Sequence, residues 1–215
     1  QAKETGLSYQ MCLQLFCQEE FLRRLSLSQY NSNFVLKGGL FIYTLTEFQS
    51  RATQDIDFLM LQLSNDIDKV KGVVEEISRV PTANDYITIE VVNAEKITPD
   101  KEYQGVSVKF IGHIKQVKIP FSIDIGMDDV IVPKAVKRCI KTRLTDFEEP
   151  EVYTYSLEST IAEKFDAILK RMEATSRMKD FFDIYYLSRM FDFDGRKLQE
   201  AIWQTIQHRG TVYKA

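Results

Sequence analysis

The run Gln54-Asp55-Ile56-Asp57-Phe58-Leu59-Met60-Leu61 sets two carboxylates, one residue apart, at the head of an apolar stretch. We read Asp55 to Leu61 as a strand. Alternate strand side chains share a face, so Asp55 and Asp57 point one way while Ile56 and Phe58 point the other. Like charges side by side repel unless a divalent cation or a water-filled edge relieves them. Mg²⁺ suits such a place, because it takes oxygen ligands and is commonly held by one or two carboxylates, with phosphate oxygens and water completing its shell. A solvated strand face is the alternative, and an isolated Asp-x-Asp does not choose between the two.

Phe121-Ser122-Ile123-Asp124-Ile125-Gly126-Met127 carries a third acid. Its apolar residues share one face, and Asp124 shares the other with Ser122 and Gly126. An isolated charge in a buried strand is costly. If this strand neighbours the first, Asp55, Asp57 and Asp124 converge and form a site for metal-assisted phosphoryl chemistry. The competing reading makes Asp124 a strand-end acid beside Asp128 and Asp129.

Upstream, Phe34-Val35-Leu36-Lys37-Gly38-Gly39 runs from a strand into a helix. Two glycines permit close backbone approach, and a helix N-terminus offers unpaired N–H groups to an anion. A plain turn is the commoner use of Gly-Gly. Proximity to Asp55 favours a phosphate-binding role.

The surrounding pattern is mixed. Tyr9 to Leu25, Leu40 to Phe48 and Asn65 to Val80 have helical spacing, the last with a candidate cap at Ser64 or Asn65 and Pro81 beyond it. Asn33 to Leu36, Ile87 to Val92, Val106 to Ile111 and Val117 to Ile125 read as strands. The class is α/β (α+β): a mixed sheet with flanking helices. After Pro133 come helices at Leu157 to Arg171, Ser176 to Met190 and Leu198 to Gln207. We place a boundary there, giving a sheet domain at 1–133 and a helical part at 134–215.

Two charged residues intrude on apolar helix stripes. Lys164 sits between Ile161 and Ile168, either snorkelling outward or reaching into a cleft. Asp180 precedes Ile184 and Leu187 on the apolar side of the next helix, where a salt bridge to Arg177 or Lys179 is the simpler account.

Composition narrows the rest. The 215 residues are 44% hydrophobic, enough for a core, and 28 Lys and Arg against 31 Asp and Glu give a net charge of −3. That sum excludes a uniformly basic nucleic-acid binder. It conceals Lys134, Lys137, Arg138, Lys141 and Arg143, ten residues with five bases and no acid, which read as a phosphate-backbone patch or a solvated helix face. Three cysteines without a CxxC pair point to reduced thiols and a cytoplasmic setting. No run is long enough to span a bilayer, so no membrane partner is expected. From a start at Gln1 without Met we expect a fragment.

Lys37-Gly38-Gly39, Arg51-Ala52-Thr53-Gln54-Asp55-Ile56-Asp57, Ile123-Asp124-Ile125-Gly126, Lys164 and Arg177-Met178-Lys179-Asp180-Phe181-Phe182-Asp183-Ile184, in that order, resemble the AbiEii/AbiGii toxin family. These are nucleotidyltransferases of the DNA polymerase β-like superfamily, found in bacterial abortive-infection and type IV toxin–antitoxin systems. The resemblance implies catalytic roles for Asp55, Asp57, Lys164 and Asp180, and metal binding (Mg²⁺ or Mn²⁺) by Asp55, Asp57 and Asp124. It implies nucleotide contacts from Lys37, Gly38, Gly39, Thr53 and Lys164. The implied reaction moves a nucleoside monophosphate from an NTP to an acceptor such as the end of a tRNA, and a cognate antitoxin is an implied partner. One departure stands out. The superfamily usually has Ser where this chain has Gly39, so backbone N–H groups or Thr53 would have to supply the missing phosphate contact. That leaves two rivals: an inactive NTP-binding or antitoxin-binding module, and a metal nuclease using the same acids.

Overall fold

The computed structural model describes residues 6–97, 105–144, 146–170 and 178–212. Helix α1 (Tyr9–Leu27) begins where Ser8 Oγ accepts the Met11 N–H, at 3.2 Å. Its apolar side delivers Leu15, Phe21, Leu22 and Leu25 to the core. Strand β1 (Phe34–Lys37) passes directly into α2 (Gly38–Leu45). That helix ends three residues short of the expected Phe48, because Glu47 and Phe48 take positive φ. Strand β2 (Ile56–Met60) follows, then α3 (Ile67–Ser78), whose cap is Asp66 rather than Ser64 or Asn65. The Asp66 carboxylate accepts the Lys69 N–H and supplies one of the bonds that a helix start otherwise lacks.

Three long strands come next: β3 (Ile87–Lys96), β4 (Gly105–Ile114) and β5 (Val117–Met127). Two short ones, β6 (Val136–Cys139) and β7 (Glu151–Thr154), complete a seven-stranded sheet ordered β3-β4-β5-β2-β1-β7-β6. These short strands fall within 134–215, which the sequence reading took as the helical part, ahead of its first expected helix at Leu157. Helices α4 (Leu157–Leu169), α5 (Met178–Met190) and α6 (Gly195–His208) follow. Asp194 caps α6, starting it a turn before the expected Leu198. The expected helix ends at Arg171 and Ser176, and the candidate partner Arg177, lie outside the described residues.

The sheet's register positions the chemistry. Strand β2 runs antiparallel to β1 and parallel to β5, while β4 and β5 form an antiparallel hairpin. One face is aromatic: Phe58 and Phe110 flank Phe21 of α1, and Phe110 stacks on Phe121 at 4.8 Å. Beneath it, Gly112 leaves room for Cys17, whose thiol is pushed up to about 12 by burial and by the nearby Glu20. The other face of β5 carries Ser122, Asp124 and Gly126, all half-buried.

The chain forms two compact units, 1–128 with 137–153 and 129–136 with 154–215. In the first, α1 also carries buried charge. Glu20 accepts from Arg23, Arg24, Thr82 and Asn84, which satisfies a carboxylate with no exposure at all. In the second, α4 packs against both α5 and α6. Arg209, just past α6, binds Asp129, Glu163 and Asp166, and Thr211 bonds Asp166. Among the described residues, no helix is long and apolar enough to cross a membrane.

Candidate active site

In the first unit, pairing across three strands lines up Lys37 with Asp57 and Asp57 with Asp124. Directly paired residues on neighbouring strands share a face. Asp57 and Asp124 are thus adjacent, and both are half-buried. The sequence left this adjacency conditional. Asp55 is exposed and precedes the first residue of β2, so the ladder does not fix it as it fixes Asp57.

Gly38 explains why the chain needs glycine at the end of β1. Its φ is +67°, and a Cβ built there would lie 2.1 Å from Asp57 Oδ2. The backbone entering α2 runs against the carboxylate with no room for a methyl group. Gly39 has a different neighbour: its Cβ would come 3.1 Å from both Cβ and Oγ1 of Thr53. Thr53 is itself buried, and its Oγ1 accepts the Asp55 N–H at 3.4 Å. Gln18 of α1 donates to Gln54 O at 2.6 Å and pins this loop from behind. The Lys37 side chain extends over β5, its Nζ 3.7 Å from where a Cβ on Gly126 would stand. A strand-to-helix turn, a cation and two carboxylates therefore occupy one patch.

Oxygen donors of this kind suit Mg²⁺ or Mn²⁺. Among the described residues, no three His, Cys, Asp or Glu side chains form a group that could hold a metal ion. Two protein carboxylates with the remaining positions left to water and phosphate is the usual arrangement for Mg²⁺, so the residues fit.

In the second unit, Lys164 Nζ donates to Asp180 Oδ1 at 3.1 Å and to Asp183 Oδ2 at 2.6 Å. All three residues are buried. Lys164 does not snorkel, and Asp180 pairs across helices with it. Asp183 is the member that sequence reasoning missed as a separate site residue. Its signal was its position three residues after Asp180, which sets both on one helix face.

The basic run departs from its expected form. It is a strand and a loop, not a helix face. Lys137 pairs with Glu151 at 2.5 Å and Lys141 with Glu149 at 3.0 Å. Arg143 bonds the Tyr43 hydroxyl and lies over the Phe48 ring, 4.9 Å from its centre. The backbone N–H of Arg143 also donates to Glu19 Oε1 at 3.0 Å. Burial raises the Glu19 carboxyl to about 7, against the lowering pull of that bond and of the Arg23 and Arg143 charges. Three of the five bases are thus committed within the fold.

Residues 20–215 match the family model for the nucleotidyl transferase AbiEii toxin of type IV toxin–antitoxin systems. Solved structures agree on the fold. The nucleotidyltransferase toxin MenT4 from Mycobacterium tuberculosis H37Rv is similar at a TM-score of 0.67 and 15% identity, with 95% of this chain and 70% of that one covered. JHP933 from Helicobacter pylori gives 0.55 and 17%, covering 86% and 68%. ANT(2")-Ia, solved with adenylyl-2"-tobramycin, gives 0.52 and 14%, covering 92% and 98%. No curated protein matches the sequence. With nearly the whole chain inside the family's pattern and the sheet, glycine turn and paired carboxylates in place, the protein belongs to the AbiEii nucleotidyltransferase toxins of type IV toxin–antitoxin systems.

Proposed function

We propose that this nucleotidyltransferase moves a nucleoside monophosphate from an NTP to a hydroxyl of an RNA acceptor, with the end of a tRNA as the first candidate. The observation that carries the reading is the pairing of Asp57 with Asp124 on parallel strands, beside a glycine turn that admits no side chain.

Asp57 and Asp124 would hold Mg²⁺ or Mn²⁺, which when bound neutralises triphosphate charge and favours in-line displacement. The chain's own groups do the rest. Backbone N–H groups at the start of α2 and the Lys37 ammonium are suited to phosphate oxygens. The acceptor oxygen attacks the α-phosphorus, the bond to pyrophosphate breaks, pyrophosphate leaves, and the hydroxyl proton passes to solvent. ANT(2")-Ia was solved with an adenylylated sugar hydroxyl, and a ribose hydroxyl at an RNA end is an acceptor of the same chemistry.

The inactive-module alternative drew on Gly39. Thr53 now gives that glycine a packing reason, since a serine there would press on a buried side chain. A cognate antitoxin remains a proposed partner.

The deciding experiment incubates the protein with each α-³²P-labelled NTP, Mg²⁺ and total RNA. Labelled RNA is expected from the wild type and none from folded Asp57→Ala. Equal labelling by the variant rejects the assignment, and shortened RNA selects the nuclease.

A further inference from the structure

Helix α5 is built inside out. Its acids Asp180 and Asp183 are buried with Leu187, while Met178, Phe181, Phe182 and Tyr185 are 70%, 45%, 44% and 65% exposed. Ordinary surface helices do the reverse, turning the apolar stripe inward and the charges out. The cause is local. Lys164 draws both carboxylates to the α4 side, and the 3.6-residue period then carries the aromatics to solvent.

Positions 178, 181, 182, 185 and 189 follow the i, i+3, i+4, i+7 spacing of one helix face. They form a stripe of Met, two Phe and Tyr ending in Arg189. Tyr186 flanks it, its ring stacked on Phe182 with centroids 5.8 Å apart and planes 19° from parallel. Lys179 is exposed at the other end. No exposed residue of α5 is acidic, and the first exposed acids beyond it are Asp192 and Asp194, which bound the stripe past Arg189.

We infer that this face of α5 is a track for single-stranded RNA, with bases stacking on Phe181, Phe182 and Tyr185 and phosphates meeting Lys179 and Arg189. Sequence-tolerant RNA binding combines these two elements, aromatic platforms and interspersed cations. A second copy of the chain is a poorer occupant. Antiparallel self-packing of the helix would set Lys179 of one copy against Arg189 of the other. The track ends at Lys179, at the N-terminal end of α5. The inference rests on the RNA-acceptor reading and adds the surface that holds the acceptor.

The test measures anisotropy of a fluorescein-labelled single-stranded RNA 12-mer and of labelled tRNA, alongside calorimetric NTP binding. The double variant Phe182→Ser/Tyr185→Ser is expected to lose about tenfold or more in RNA affinity, as removal of stacking platforms does. Lys179→Ala and Arg189→Ala should each lower the slope of log affinity against log salt by about one. NTP affinity should not change, and all the substitutions are of exposed side chains. RNA affinity unchanged in the double variant overturns the track even where the wild type labels RNA. Unchanged affinity together with a loss of self-association on sedimentation assigns the face to a second copy instead. A wild type that binds no RNA and labels only small molecules overturns the acceptor reading and the track together.

Discussion

The Lys164 ammonium stands 2.6 Å from an Asp183 carboxylate oxygen, and Asp183 is the more deeply buried of its two acidic partners. Lys164→Met would remove the ammonium that both carboxylates share, whereas either acid replaced by Asn leaves one of the two Lys164 pairs intact. Urea unfolding should rank the losses Lys164→Met, then Asp183→Asn, then Asp180→Asn. The first should cost about 3–5 kcal/mol, as breaking a buried pair does. A Lys164→Met protein as stable as wild type would show that the cluster contributes nothing.

Gly38→Ala tests the contact with Asp57. The left-handed φ costs an L-residue about 1–2 kcal/mol. The added methyl would also have to displace the Asp57 carboxylate. The variant should melt lower and lose label transfer, while Gly72→Ala, where a Cβ meets nothing, should keep its activity.

Gly39 and Thr53 should be energetically coupled. Gly39→Ser presses on Thr53 and is expected to destabilise the fold. Thr53→Ala should relieve part of that loss in the double variant. A thermodynamic cycle from denaturant curves should give about 0.5–3 kcal/mol of coupling, typical of residues in contact. Simple additivity would mean that the loop adjusts without cost.

Glu19 predicts a pH dependence. Its carboxyl rises from an ordinary 4.5 to about 7 on folding, mainly through burial. The folded chain therefore binds more protons at this site than the unfolded chain between those values. Its contribution is fully present below about 4.5 and is lost as pH rises toward 7. Glu19→Gln should flatten that fall in a series of melts from pH 5 to 7.5, and an unaltered pH profile would discard the assignment.

Strands β1 to β5 and the main helices were legible because apolar residues recur at the periods that define them. β6 and β7 were not. Val136-Lys137-Arg138-Cys139 is four residues with two bases, and its strand character comes from sheet neighbours distant in sequence. At the site, the acids could be named from alternation alone, but the pairing of Asp57 with Asp124 depends on a register that no local pattern encodes. Lys164 and Asp180 were visible as intruders on apolar stripes. Their mutual bond was not, because each was weighed against its own helix. Arg209 and its three carboxylates left no local signal, being scattered from Asp129 to the end of α6.

The β5 register has a further consequence. Slipping the strand by one residue against β2 would turn Asp124 toward the aromatic core and bring Ile123 and Ile125 to the open face. The aligned pairing keeps the carboxylate off the aromatic face, and a one-residue slip does not. The residue proposed for the reaction would therefore also disfavour a one-residue slip of β5, because the slipped chain would bury an unpaired charge at the position it needs for activity. Neutralising Asp124 would relax both checks together.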